Sequence, residues 1–117
     1  MGEKGYEPAF LPGTLDMLIL KSVSRGPMHG YSIAQHIQQA SQEVLRVEEG
    51  ALYPALHRLE VRGWLKAEWG ISEAHQRARY YQLTAAGKAQ LLRERDRWSQ
   101  LVTAIGRIMN PAQAGKE

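Results

Sequence analysis

The residues best equipped to do chemistry crowd into one stretch, Glu48 to Leu65, EEGALYPALHRLEVRGWL. Leu52, Ala55, Leu56 and Leu59 recur at helical spacing and form an apolar stripe. Tyr53, His57, Arg58, Val61 and Arg62 fall on the remaining, outward side. A guanidinium there can grip planar acceptors in pairs, and a phenol or imidazole can donate single hydrogen bonds. An ordinary amphipathic helix would show the same stripe, so the surroundings must decide. Catalysis finds little support. His29, His36, His57 and His75 fall on different elements without metal-ligand spacing, and no nucleophile has an evident base. The expectation is no enzyme, no metal and no cofactor.

The helix itself is well punctuated. Pro54 is expected near its start, where a missing N–H does least harm, and Gly63 suits a left-handed stop. Glu48 and Glu49 favour the N-terminal end of the macrodipole. They would also repel phosphate, so they should lie away from any phosphate that the helix meets.

Bulk properties narrow the class. A chain of 117 residues, 44% hydrophobic and 23% charged, suits one folded domain with a modest core. Fifteen basic residues against twelve acidic, and a pI of about 9.4, permit a nucleic-acid partner without demanding one. The absence of cysteine excludes a disulfide framework. The run Leu15 to Leu20 is broken by Asp16 and closed by Lys21, so neither a signal peptide nor a membrane span is expected, and a cytoplasmic protein follows.

Taken in order, residues 1–13 read as an arm whose Tyr6, Phe10 and Leu11 should pack on the body or on a second subunit. Thr14 should cap a first helix through Leu15, Leu18, Ile19 and Val23, ended by Gly26-Pro27. A second helix is expected from about His29 to Ala40, with Ile33, Ala34 and Ile37 inward. A short strand around Leu45 to Val47 would fit before the 49–63 helix. From Trp64 the period drops to two: Leu65, Ala67 and Trp69 alternate with Lys66 and Glu68. The polar tip Gly70 to Gln76 turns the chain, and Arg79, Tyr81 and Leu83 alternate on the return. Helix, turn, helix, helix and hairpin make a winged helix. Thr84 should cap a last helix of about 26 residues, roughly 39 Å long, stopped by Asn110-Pro111. That length overhangs a body of roughly 30 Å. Leu91, Trp98 and Ile105 recur at sevens, with Leu101, Val102, Ile108 and Met109 between them, and such a stripe asks for a second copy of the chain. The fold class is therefore mainly α with a small β-hairpin: arm 1–13, winged helix-turn-helix 14–83, dimerisation helix 84–110 and flexible tail 111–117.

HGY at 29–31, GALYPALHRLEVRGWL at 50–65, AEW at 67–69 and RARYYQLTAAG at 77–87 together resemble the PadR family of transcriptional regulators, in its short-form branch with a single C-terminal helix. The resemblance spans most of residues 14–87. It implies a homodimeric winged-helix regulator, usually a repressor, that binds a pseudo-palindromic operator and often responds to a small molecule.

Under that reading the 49–63 helix enters the major groove. Gly50 and Ala51 let its start approach the backbone beside Pro54, with helix-start amides facing a phosphate. Tyr53 would donate to a phosphate, or else pack half-buried. His57 and Arg58 would meet base edges, Arg58 pairing with guanine, with Arg62 further along the same side. Arg58 could instead be a solvated charge or paired within its helix. His75, Arg77 and Arg79 would set the wing on the backbone or in the minor groove, unless Arg79 lies along its strand over Tyr81. His29 and Tyr31 would either touch phosphate or cap and pack. Trp64 and Trp69 are assigned to packing around the wing, and Gly87 to a close helix approach. Leu91, Trp98, Leu101, Val102, Ile105, Ile108 and Met109 would form the dimer seam. In some family members a tryptophan at the place of Trp98 stacks flat aromatic ligands, which would make a small aromatic effector a partner besides duplex DNA. The competing class is a winged-helix ligand sensor or protein-interaction module without DNA binding.

Overall fold

The computed structural model describes residues 13–114. The expected arm with Tyr6, Phe10 and Leu11, and the last residues 115–117, lie outside that range. Helix α1 (Thr14–Ser22) buries Leu15, Ile19 and Leu20. Its cap is Gly13, in the left-handed region at φ 88°, and not Thr14. The Gly13 carbonyl accepts from the Met17 amide at 3.0 Å, which makes Thr14 the first helical residue. The helix stops at Ser22, short of Gly26-Pro27.

Next comes a strand that the sequence did not announce. β1 (Met28–His29) is two residues long and shows no period. It pairs antiparallel with β3 (Arg77–Leu83), Met28 opposite Tyr81 and His29 opposite Tyr80. With β2 (Leu65–Ile71) on the other side, the expected hairpin is a three-stranded sheet in the order β1-β3-β2. The short strand suspected at 45–47 shrinks to one bridging residue, Leu45.

Helix α2 (Gly30–Ala40) begins one residue later than expected because His29 caps it, Nδ1 accepting from the Ser32 amide at 3.3 Å. Ile33 and Ile37 face the core. Helix α3 (Glu49–Val61) buries the Leu52, Ala55, Leu56 and Leu59 stripe as its spacing predicts. It closes in a Schellman turn: Gly63, at φ 80°, donates to the Glu60 carbonyl and Trp64 to that of Leu59, both at 3.0 Å. Pro54 is a correction. It occupies the second turn of α3, past the first-turn positions whose N–H groups have no helical acceptor, so the Gly50 carbonyl loses its usual partner.

β2 and β3 keep register from Leu65 opposite Leu83 out to Ile71 opposite Arg77, with Ser72 to Gln76 as the turn. The inward face fades toward the tip. Leu65 is buried, Ala67 partly so, and Trp69 is exposed, its packing confined to the wing, where Arg77 lies on its ring. Helix α4 (Ala85–Met109) starts as its sequence predicts: Thr84 Oγ1 accepts from the Gly87 amide at 3.0 Å and donates to the Gly63 carbonyl at 2.6 Å. Only Gly87, Gln90 and Leu91 of α4 are buried. Leu91, 7% exposed, belongs to the chain's own core rather than to an intersubunit seam. Beyond it the helix leaves the body, consistent with extents of 54 × 39 × 21 Å. Pro111–Ala114 adds one short helical turn, α5, where a flexible tail was expected.

Candidate nucleic-acid interface

Three elements meet along one side of the molecule: the exposed face of α3, the start of α2 and the wing β2–β3. They meet there because the α3 leucine stripe is committed to the core, which forces Gly50, Pro54, His57 and Val61 outward. None of those four carries a fixed charge. The charged and hydroxyl groups stand on the two flanks of the helix.

On the flank toward the wing, Tyr53 leans on the start of α2. A Cβ placed on Gly30 would fall 2.8 Å from the Tyr53 hydroxyl, so glycine in the HGY segment leaves room for this ring. Burial raises the Tyr53 pKa above its ordinary 10.0, with smaller contributions from Glu49 and Tyr81. The phenol is therefore a hydrogen-bond donor at neutral pH. Glu49 acts on Tyr53 from one turn earlier, so it borders this face instead of lying clear of it. Glu60, lower on the same flank, takes both terminal nitrogens of Arg79 at 3.2 and 2.9 Å. The Arg79 guanidinium also stands 6.0 Å from the Tyr81 ring. This agrees with Arg79 lying along its strand, and adds an acidic partner that the sequence reading did not name.

On the opposite flank, Arg58 Nη2 donates to Asp16 Oδ1 of α1 at 2.6 Å. The pairing reaches across 42 positions. It is neither the solvated charge nor the within-helix pair that were the alternatives. Arg62 lies 5.3 Å over the Trp64 ring at the end of the helix. Gly50 and Ala51 are exposed in the first turn, but the Ala51 amide already donates to the Glu48 carbonyl at 2.9 Å. That leaves the Glu49 and Gly50 amides foremost at the helix start.

On the wing, Arg77 stacks 4.3 Å over Trp69, and His75 holds the left-handed position of the turn at φ 61°. Tyr31 is exposed on α2, its hydroxyl accepting from Gln35 at 3.4 Å. His29 is spoken for: it caps α2 and meets Tyr80 edge to face, 5.3 Å between centroids. A cleft of about 720 Å³ joins His29, Tyr31, Tyr53, Arg77 and Arg79. His57, Arg58 and Arg62 are not among its walls, and reach solvent along the neighbouring surface. Sequence reasoning missed Asp16, Glu60 and Trp69 as components of this surface. Trp69 could have been found from its strand period with Arg77 across the hairpin. Asp16 carried no local signal.

The far half of α4 is different in kind. Trp98, Leu101, Val102, Ile105, Ile108 and Met109 are all about half exposed or more. Trp98, 51% exposed, borders a groove of about 700 Å³ between α1 and α4, with Met17, Leu18 and Leu92. Among the described residues no acidic or histidine cluster could hold a metal ion, and no helix is long and apolar enough to cross a membrane.

Comparison with known proteins agrees with this architecture. A transcriptional regulator from Mycobacterium tuberculosis, Rv3488, is 34% identical over 87 residues, covering 74% of this chain and 78% of that protein. The solved structure of a transcriptional regulator from Clostridium thermocellum superposes with a TM-score of 0.74 at 29% identity, over 81% of this chain and 92% of the other. A PadR family regulator from Eggerthella lenta gives 0.71 at 30% identity, over 84% and 83%. The model of the transcriptional regulator PadR-like family matches residues 19–93, which carry α2, α3, the wing and the start of α4, and the chain belongs to that family.

Proposed function

We propose that this winged-helix regulator binds operator DNA as a homodimer and represses transcription. One observation carries the reading. The face of α3 that the core cannot use is flanked by the start of α2 and by an arginine-bearing wing, so a duplex could be met at three points. α3 lies in the major groove, with Gly50, Ala51 and Pro54 giving close approach and His57 and Val61 facing base edges. Tyr53 donates to a phosphate, Arg58 and Arg62 line the groove walls, and His75, Arg77 and Arg79 bring the wing to the backbone. Tyr31 reaches the backbone from α2, while His29 holds that helix in place.

The apolar stripe of α4 pairs with its copy through Trp98, Leu101, Val102, Ile105, Ile108 and Met109. Two α3 helices then face one side about 34 Å apart, and the operator is a two-fold repeat. The protein works in the cytoplasm, and a flat aromatic effector stacking near Trp98 releases it. Selection of bound fragments from random duplex DNA by the purified protein tests the reading. Enrichment of a two-fold repeat with half-sites one turn apart is expected. Recovery of no enriched sequence, with no salt-dependent affinity for duplex, would favour a sensor or protein-interaction module.

A further inference from the structure

Arg58 on one flank of the reading helix and Arg79 beside the other are each already held by an acid of the same fold. We propose that Glu60 and Asp16 limit DNA affinity by occupying Arg79 and Arg58, acting as positioning residues that keep loose binding to arbitrary sequence weak. The inference rests on the DNA-binding reading above.

The two pairs differ in how firmly they hold. Asp16 is 7% exposed at its side chain and Arg58 45%, with 2.6 Å between them. Removing Arg58 from that contact strands a buried carboxylate, so Arg58 stays, oriented by α1. Glu60 is 26% exposed and Arg79 40%, with both guanidinium ends engaged. That pair is solvent-screened and exchangeable. In each, acid and base neutralise one another locally, so neither arginine brings a full uncompensated charge to a phosphate. Arg77 is the contrast on the same surface: its guanidinium lies on the Trp69 ring, a contact that leaves the charge intact. The outermost stripe of α3, Gly50, Pro54, His57 and Val61, carries no fixed charge to offset this. Discrimination between sequences then falls to shape and uncharged contacts, while the general attraction to phosphate stays moderate.

The test uses the full chain and a labelled mixed-sequence duplex, with affinity followed against salt. Wild type, Glu60→Gln, Arg79→Gln and the double variant form a cycle. Glu60→Gln should tighten binding and steepen the slope of log affinity against log salt by about 0.9. Equivalently, the loss of affinity between about 50 and 200 mM salt grows about threefold. In the Arg79→Gln background the same substitution should do little, because no arginine is left to release. If Glu60 only repelled phosphate, it would act equally in both backgrounds, and that result overturns the proposal. An unchanged slope in Glu60→Gln with normal wild-type binding overturns it too, leaving DNA binding standing. Wild type without salt-dependent duplex binding removes both readings together. Asp16→Asn is the parallel test at the half-buried pair, expected to steepen the slope similarly. Asp16→Asn/Arg58→Met, which removes both charges of the pair, serves where the single variant does not fold, and should bind mixed-sequence duplex no more tightly than wild type. Tighter binding by the double variant counts against the Asp16 arm.

Discussion

The Tyr53 ring rests on Gly30 so closely that even a methyl group there would lie 2.8 Å from its hydroxyl and 2.9 Å from its edge. This one contact joins α3 to the start of α2. Tyr53 is nearly half exposed, so its ring can swing away if pressed. Gly30→Ala should therefore fold, because the atoms it meets are the far end of a side chain and not backbone. Its expected effect is on aim: Tyr53 turns out of line and duplex affinity drops about fivefold, equivalent to about 1 kcal/mol. Binding measured beside a thermal melt checks this; a lowered melting point with intact affinity would contradict it.

Gly87 meets an obstacle that cannot swing. A Cβ there would stand 2.1 Å from the Trp64 carbonyl oxygen, and that carbonyl also accepts from the Thr84 amide at 3.1 Å. Gly87→Ala must push the start of α4 off the root of the wing. Overpacking against backbone should destabilise by about 3 kcal/mol, at the upper end for such changes, and denaturant unfolding measures it. Gly106→Ala is the contrasting variant, since open space surrounds that position. It should leave stability unchanged or slightly raised.

These two glycines show what the sequence could and could not disclose. Gly87 was legible as a close approach because it follows a capped helix start, a purely local signal. The α3 leucines and the β2–β3 alternation were equally local, and each element formed within a residue or two of its expected bounds. Strand β1 was not legible, since two residues carry no period and exist as a strand only because Tyr80 and Tyr81 lie alongside. Leu91 fitted a heptad with Trp98 and Ile105, yet the first turns of α4 still lie on the body, so the core claims it. Arg58 and Asp16 are far apart in sequence, and no pattern along the chain predicts that pair.

Tyr53 gives a pH prediction with a definite sign. Its pKa is raised in the folded chain, chiefly by burial, so the fold favours the protonated phenol. That preference is fully present below the ordinary value of 10.0 and is lost as pH rises through the higher folded value. Stability should thus decline above about pH 10, and Tyr53→Phe should decline less over the same range. Denaturant midpoints collected from pH 8 upward, at roughly unit intervals, provide the check. Parallel declines for the two proteins would place the alkaline sensitivity elsewhere.

A charge in the middle of the α4 stripe should separate the subunits. Ile105 is exposed in the single chain, so Ile105→Glu leaves the fold of the monomer untouched. Buried against a partner helix, the same carboxylate would be desolvated without a counterion. Light scattering at micromolar concentration should find dimers for the natural sequence and monomers for the variant. Operator affinity should fall at least about a hundredfold, because the two half-sites are then bound independently. Leu91→Glu is the informative opposite. Leu91 is 7% exposed in the core, so that variant should fail to fold instead of dissociating.

Trp98 supports the last prediction. Its ring borders the groove between α1 and α4, beside Met17, Leu18 and Leu92, with Asp96 also on the wall. Lys21 and Arg95 line it too, so charge does not favour a cation, and stacking on the indole between apolar walls is what would hold a flat aromatic ligand. Titrating planar aromatic compounds, cationic and neutral, should quench tryptophan fluorescence in the natural protein and leave Trp98→Ala, which retains Trp64 and Trp69, largely unresponsive. Matching responses in both proteins would assign the quenching to Trp69, which is also exposed and already carries Arg77 on its face. A ligand that stacks on Trp98 should also lower operator affinity, since the same helix sets the spacing of the two reading surfaces. Quenching without that loss would make Trp98 a binding position uncoupled from control of DNA.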